Sequence, residues 1–313
     1  MGVNEIEIRN KTVEGILDHI SPYLHGKRSA LIRVMVCVFS GGHMLIEDLP
    51  GLGKTTLAVA TARVLGLSFG RVQCTNDLLP TDVTGLNIFK ADRGEFVFHP
   101  GPVFNNLVLV DEINRATPKT QSALLEAMGE EQATIDGITY KLAEPFIVIA
   151  TQNPVEHSGT FPLPESQMDR FMMRISIGYP NRDSERDILR IGAGRRAMDG
   201  LLPKLTASAV TGLQGEIDRG VTASDRILDY ILAISEHTRN HQLIAAGVST
   251  RGAMVLLRCS KCVAWMQGRD FVIPEDVKLF AEDILLHRLQ FREGARHDGA
   301  GVFRSVIEEV PAP

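Results

Sequence analysis

The sequence predicts an α/β chain: a three-layer domain on a parallel sheet with hairpin inserts, followed by a small all-helical C-terminal domain. Three observations carry this reading. Short apolar runs alternate with helical stretches up to Tyr179-Pro180-Asn181. Two turn signals inside alternating sequence interrupt that rhythm. Beyond residue 182 no strand pattern is evident and helical periodicity takes over.

The strand candidates are residues 43–47 (HMLIE), 107–110 (LVLV), 146–151 (FIVIAT) and 172–177 (MMRISI). Continuous apolar runs of this length mark strands covered on both faces, as in a parallel sheet packed between helices. Between them, residues 54–65 (KTTLAVATARVL) read as a helix by periodicity. Residues 117–128 do so as well, with Thr117 as N-cap and Pro118 at the first helical position. Residues 85–98 hold an Asp92-Arg93-Gly94 turn before alternating Glu95-Phe96-Val97-Phe98, and residues 132–142 hold Asp136-Gly137, a type I′ hairpin signal. In the C-terminal part, helices are expected over 224–240, 249–268 and 274–289. The division expected is a core over 1–182, a linker over 183–205 with an exposed Gly/Arg-rich connector at 192–196, and a helical lid over 206–313 whose tail after Arg292 is poorly ordered.

Composition narrows the function classes. With 313 residues the chain can bury a full core without disulfides or metal staples, and its four cysteines are too few for a disulfide framework. The formal charge of −5 and the 6% aromatic content argue against a nucleic-acid binder, which would show a basic excess and stacking platforms. The N-terminus has no continuous apolar segment, and the apolar stretch 30–46 is broken by Arg33, Gly41, Gly42 and His43. A cytoplasmic protein with no membrane insertion is expected.

The chemistry lies in Asp48-Leu49-Pro50-Gly51-Leu52-Gly53-Lys54-Thr55, with Thr56 next in the helix. It follows an apolar strand and opens a helix, the setting of a phosphate-binding loop. Gly51 and Gly53 let backbone amides approach phosphate oxygens, Lys54 neutralises β- and γ-phosphates, and the Thr55 hydroxyl holds Mg²⁺. Asp48 stands where the G-x-x-x-x-G-K-[ST] pattern has its first glycine; aspartate tolerates left-handed and turn geometries, so the loop is expected to form. The run 107–110 then ends in Asp111-Glu112. Strand carboxyl ends are where ligands sit in such sheets, so Asp111 is read as orienting Mg²⁺ and Glu112 as the general base on water. No N-K-x-D motif is present, which disfavours a GTPase.

Further along, Asp111-Glu112-Ile113-Asn114-Arg115-Ala116, the run 118–128 (PKTQSALLEAM), Ala150-Thr151-Gln152-Asn153-Pro154, 159–165 (GTFPLPE), Asp169-Arg170-Phe171 and 77–85 (DLLPTDVTG) resemble the MoxR family of AAA+ ATPases. The resemblance covers residues 43–180 and resumes over 249–289, with minor departures at Asn76 and at Thr250-Arg251-Gly252. That family often carries Asp where Asp48 stands. The resemblance implies a P-loop AAA+ core with a helical lid, nucleotide in the cleft between them, and Mg²⁺-dependent conversion of ATP to ADP and phosphate. It implies Asn153 as sensor 1 and Arg170 as the arginine finger acting on a neighbouring subunit. Arg251 would be sensor 2, reaching the γ-phosphate from the lid, and Arg115 a weaker candidate for a subunit contact. It also implies a homo-hexameric ring with a chaperone-like role on partner proteins, such as a separate polypeptide with a von Willebrand factor A domain or a metalloenzyme client. The hairpins would face the pore or a client.

Two other classes compete. An ATP-gated scaffold with little turnover would lack the combination of Glu112, Asn153 and Arg170, and phosphate release separates it. A nucleic-acid-associated AAA+ motor would show ATPase stimulation by DNA that salt abolishes.

Overall fold

The computed structural model describes residues 6–154, 159–191 and 197–313; the connector expected at 192–196 lies outside the described residues. Strand β1 (Met44–Glu47) occupies the interior of a five-stranded sheet with β2 (Phe69–Gln73), β5 (Leu107–Asp111), β8 (Ile147–Gln152) and β9 (Met173–Ile175). The order is β2-β5-β8-β1-β9 and every pairing is parallel. Strand β2 has only one buried aliphatic residue in its second half, Val72, between Arg71 and Gln73, which is why it does not stand out in the sequence.

The apolar runs divide by parity between two cores. Met44, Ile46, Leu107, Leu109, Ile147 and Ile149 face one cluster, while Leu45, Val108, Val110, Val148 and Ala150 face the other. This is the period-2 alternation of a strand, hidden in composition because both faces are covered. The first face carries α1 (Lys11–Ile20), α2 (Arg28–Phe39) and α3 (Lys54–Val64). The second carries α5 (Pro118–Glu130), preceded by the short α4 (Pro80–Thr84). Truncating Leu109, which has no solvent exposure, to Ala costs about 2–5 kcal/mol.

Both expected hairpins form. Strands β3 (Gly85–Lys90) and β4 (Glu95–Pro100) pair antiparallel around the Asp92–Gly94 turn. Strands β6 (Gln132–Ile135) and β7 (Ile138–Lys141) pair around Asp136 and Gly137, with φ of 50° and 80°, the two positive values a type I′ turn requires. The hairpins are joined by an Asn87–Asp136 hydrogen bond of 2.8 Å and a stacked Phe98–Tyr140 pair with ring centroids 4.4 Å apart.

The short α6 (Glu165–Met168) precedes β9, and past that strand come α7 (Arg182–Ile191), α8 (Ala207–Gly220), α9 (Asp225–Asn240), α10 (Thr250–Met266), α11 (Pro274–Leu279), α12 (Ala281–Leu285) and α13 (Gly299–Glu309). Three details differ from the sequence expectation. The helical region holds a short ribbon, β10 (Ile244–Ala246) against β11 (Gln290–Phe291). The helix expected over 274–289 is broken at Phe280, whose ring is buried and whose backbone leaves the helix at φ −118°, ψ 12°. The tail after Arg292 is ordered, because α13 buries Phe303 and Val306. None of the described helices is long and apolar enough to cross a membrane.

The helical part does not stand apart from the sheet. Its α10–α12 join the same buried cluster as α1, α2 and the first face of the sheet. Trp265 meets Phe39 edge-on at 5.7 Å, and Arg33 pairs with Asp283 at 2.6 Å. The three thiols of Cys37, Cys259 and Cys262 are buried, and desolvation raises their pKa values, which makes them packing groups of the α2–α10 contact rather than nucleophiles.

Candidate active site

The phosphate loop leaves the carboxyl end of β1 and enters α3 at Lys54. Gly51 and Gly53 adopt φ of 86° and 90°, which an L side chain resists. A Cβ built on either would meet nothing within 4 Å. The glycines therefore serve the backbone turn, and the space before it is open. No side chain caps α3, so its first amides point into that concavity, where the helix dipole favours an anion. Leu49, Leu52, Thr55 and Thr56 are half-buried and Pro50 is exposed. Lys54 Nζ donates to the Asp48 carbonyl at 2.6 Å. Partial burial lowers the pKa of its ammonium, and the nearby carboxylates of Asp48, Asp111 and Glu112 oppose that shift.

Asp48 owes its place to its side chain, not to tolerance of a left-handed turn: it is not among the residues of positive φ. Its buried carboxylate accepts hydrogen bonds from Ser176 Oγ at 2.8 Å, from the Ile177 amide and, longer, from the Gly178 amide. Lys27, itself buried, donates to the Gly178 carbonyl and lies within the field of Asp48. The loop is thus tied to the exit of β9.

Asp111 closes β5 and is buried. Glu112 follows at φ 57°, ψ 54°, a left-handed backbone that a non-glycine residue holds only when its surroundings enforce it. Its amide donates to Thr151 Oγ1 at 2.9 Å, and its carboxylate pairs with Arg115 at 3.1 Å. Asp111 Oδ2 receives the Arg71 guanidinium at 2.8 Å. Asn153 follows the last residue of β8, the strand between β5 and β1. It stands between the acids and the phosphate loop. The donors here are hard oxygens, and among the described residues buried Gln152 Oε1 and Asn114 Oδ1 lack a partner. No group of three His, Cys, Asp or Glu side chains converges among the described residues. That set fits Mg²⁺, which takes one or two protein oxygens and completes its shell with phosphate and water.

The two remaining candidate arginines lie at the other end of the sheet. Arg170 enters β9 three residues ahead of Met173, which is in register with Met44 at the start of β1. Its Nη1 donates to the Leu125 carbonyl of α5 at 2.7 Å. Arg251, in the first turn of α10, lies 3.6 Å from Asp169. Both arginines act on the field at His43, the residue just before β1, whereas the phosphate loop follows the end of β1. The helical part shares the buried cluster of the first face of the sheet and holds Arg251 beside Asp169, at the corner that also carries Arg170. Arg288 fixes this corner, donating to the Asp169 carboxylate and carbonyl and to the Phe171 carbonyl at 2.7 Å.

Sequence reasoning did not single out Arg71, Lys27, Arg288 or His43. Nothing in local spacing marks Arg71 or Lys27, whose partners lie 40 and 151 residues away. His43 carried a signal, a polar residue opening an apolar strand. It is buried, Nδ1 accepts from the Val148 amide at 3.0 Å, and Nε2 faces the Met128 carbonyl at 3.1 Å. Desolvation, helped by the two arginines and opposed by that carbonyl, pushes its pKa down to about 4.

Comparison with known proteins agrees with this geometry. Residues 43–173 match the model of the ATPase family associated with various cellular activities (AAA), and residues 236–310 match an AAA lid domain. The chain is 42% identical over 300 residues to the uncharacterized protein YeaC of Bacillus subtilis, covering 95% of this chain and 93% of that one. It is 38% identical to the Chaperone MoxR1 of Mycobacterium tuberculosis, over 96% of this chain and 82% of that one. It is 31% identical to the Protein MoxR of Paracoccus denitrificans, over 84% of each. A crystal structure of a candidate ATPase from Cytophaga hutchinsonii superposes with a TM-score of 0.88 at 37% identity, covering 96% of this chain and 95% of that one. With the phosphate loop, the Asp-Glu strand end and the helical lid in place, the chain belongs to the MoxR family of AAA+ ATPases.

Proposed function

We propose that this chain hydrolyses ATP to ADP and phosphate with Mg²⁺ and uses the cycle to remodel or mature partner proteins. The observation that carries the reading is the convergence of Lys54, just past β1, with Asp111 and Glu112 at the end of β5, with Asn153 at the end of the intervening parallel strand β8. The amides of residues 51–54 and the Lys54 ammonium bind the phosphates. Thr55 and Asp111 would hold Mg²⁺, which would supply charge neutralisation to the phosphates when bound. Glu112 takes the proton of the attacking water, and Asn153 orients that water.

The placement of Arg170 and Arg251 supports a role for both on a neighbouring subunit's nucleotide, since neither lies at its own phosphate loop. This favours a ring, which we take to be a homo-hexamer. The named relatives support a chaperone-like role, and we extend it to a cytoplasmic chain whose client is a separate protein with a von Willebrand factor A domain or a metalloenzyme. The working unit boundaries are a core over 1–182, a linker over 183–205 and a lid over 206–313. Lys54→Ala removes the charge that meets the β/γ-phosphates and should abolish tight ATP binding. Glu112→Gln keeps the metal side and should bind ATP without turning it over. Nucleotide binding and phosphate release on both variants test the reading; equal loss of binding in the two contradicts the assigned roles.

A further inference from the structure

We propose that Arg71 is a built-in counter-cation for Asp111 that gives way when a divalent cation is loaded with nucleotide. The inference rests on the reading of Asp111 as the metal side of the site. Arg71 lies on β2, the edge strand beside β5. Its Nε and Nη2 both stand 2.8 Å from the same oxygen, Asp111 Oδ2. Among the described residues the other oxygen meets the Thr151 hydroxyl at 3.5 Å, too long for a strong bond. The guanidinium therefore occupies the better-oriented lone pairs of the carboxylate, and a divalent cation at Oδ2 would sit against a positive charge at contact distance.

The pair is built to open. Asp111 is held, with a side-chain exposure of 10%, whereas the Arg71 side chain is 45% exposed. A second acceptor, Gln73 Oε1, already lies 3.2 Å from Arg71 Nη2 on the same strand. Arg71 can swing toward Gln73 and solvent without stranding its own charge in the interior, and the incoming cation then compensates the buried Asp111, which cannot move to water itself. The other nearby cations have different partners: Lys54 holds the Asp48 carbonyl and Arg115 holds Glu112. In the metal-free chain Arg71 thus keeps two adjacent acids, Asp111 and Glu112, from facing each other with too little counter-charge. On loading, metal and guanidinium compete for one oxygen.

The test measures metal affinity rather than turnover. Mn²⁺ is titrated into the full chain with saturating ADP, and free Mn²⁺ is read by electron paramagnetic resonance. Arg71→Gln should bind Mn²⁺ about two- to fivefold more tightly, the size expected for removing a half-exposed ion pair as competitor. Arg71→Lys, which keeps the charge, should stay close to the unaltered chain. Arg71→Met serves where the Gln form does not fold, since it keeps the apolar stem on the sheet edge. In an Asp111→Asn background the Arg71→Gln gain should vanish. Unchanged or weaker Mn²⁺ binding in both neutral variants overturns the proposal, because Arg71 then supports the metal or ignores it. An Arg71→Lys gain as large as that of Gln overturns it too. If Asp111→Asn alone binds Mn²⁺ as the unaltered chain does, the failure lies in the assignment of Asp111 to the metal.

Discussion

Restoring the pattern glycine at position 48 should damage this protein. The Asp48 carboxylate is buried and serves the Ser176 hydroxyl and the amides of Ile177 and Gly178. Hydrogen bonds to a charged group are worth about 1.5–3 kcal/mol each, and an amide left without its acceptor costs about 1–3 kcal/mol. The Ser176 hydroxyl can rotate to another acceptor, so the loss is set mainly by the two amides, about 3 kcal/mol together. Glycine adds roughly 0.5–1 kcal/mol of backbone entropy over alanine. Lys27 also loses its nearby anion while remaining buried. The order of stability should be Asp, then Asn, then Ala, then Gly, with Asn losing about 1–2 kcal/mol because it keeps one acceptor oxygen. For a chain of this size about 3 kcal/mol lowers the thermal midpoint by roughly 5 °C. Thermal and urea denaturation of the four forms without nucleotide supply the measurement. Asp48→Gly at or above the stability of the unaltered chain would falsify the reasoning, since the carboxylate would then be an ordinary loop substitution.

Three further outcomes are expected. Arg170→Ala should bind ATP almost normally and hydrolyse it poorly, by on the order of 10³–10⁵ for a trans arginine; mixed with Glu112→Gln subunits it should regain activity, and flat activity with exchange shown by fluorescence would transfer the role to Arg115. If the proposed ring forms, a Mg²⁺·ATP analogue should tighten it relative to ADP, because the proposal puts a neighbour's arginines on the γ-phosphate; light scattering showing one unchanged monomer mass in all states contradicts the ring. Stability should fall in mild acid: His43, with its pKa pushed down to about 4, stays neutral when folded but takes a proton near pH 6.5 when unfolded, so the unfolded state binds more protons between those values. The loss grows as pH drops from about 6.5 toward 4 and reaches about 3 kcal/mol. His43→Gln should flatten that limb of the urea-midpoint profile, and an equally steep limb assigns the effect to other groups.

The sheet was readable because four of its strands are long apolar runs, and the hairpins because Asp136-Gly137 and Asp92–Gly94 are local turn chemistry. Strand β2 was not, since an edge strand with Arg71 and Gln73 in its second half carries no such run. The phosphate loop and the Asp111-Glu112 strand end were legible as motifs, because consecutive residues make them. Asp48 was noticed for the wrong physical reason: its partners at 176–178 come from a distant strand. The neighbourhood of Arg251 is not local either. It is set by how the helical part packs on α2, through contacts such as Phe39 with Trp265 of α10 and Arg33 with Asp283 of α12. Spacing along the chain says nothing about those.

The buried cluster that runs unbroken from the first face of the sheet into α10–α12 has a mechanical meaning. A cover that swings open needs a wet, weakly packed seam, and interfaces between units move readily only when they are small and polar. Here the seam is an apolar core, reinforced where Arg288 clasps the backbone of Asp169 and Phe171. In the ring proposed above, such a seam makes each protomer a stiff lever that turns as a whole, with Arg170 at its far tip and the pivot between subunits rather than within one.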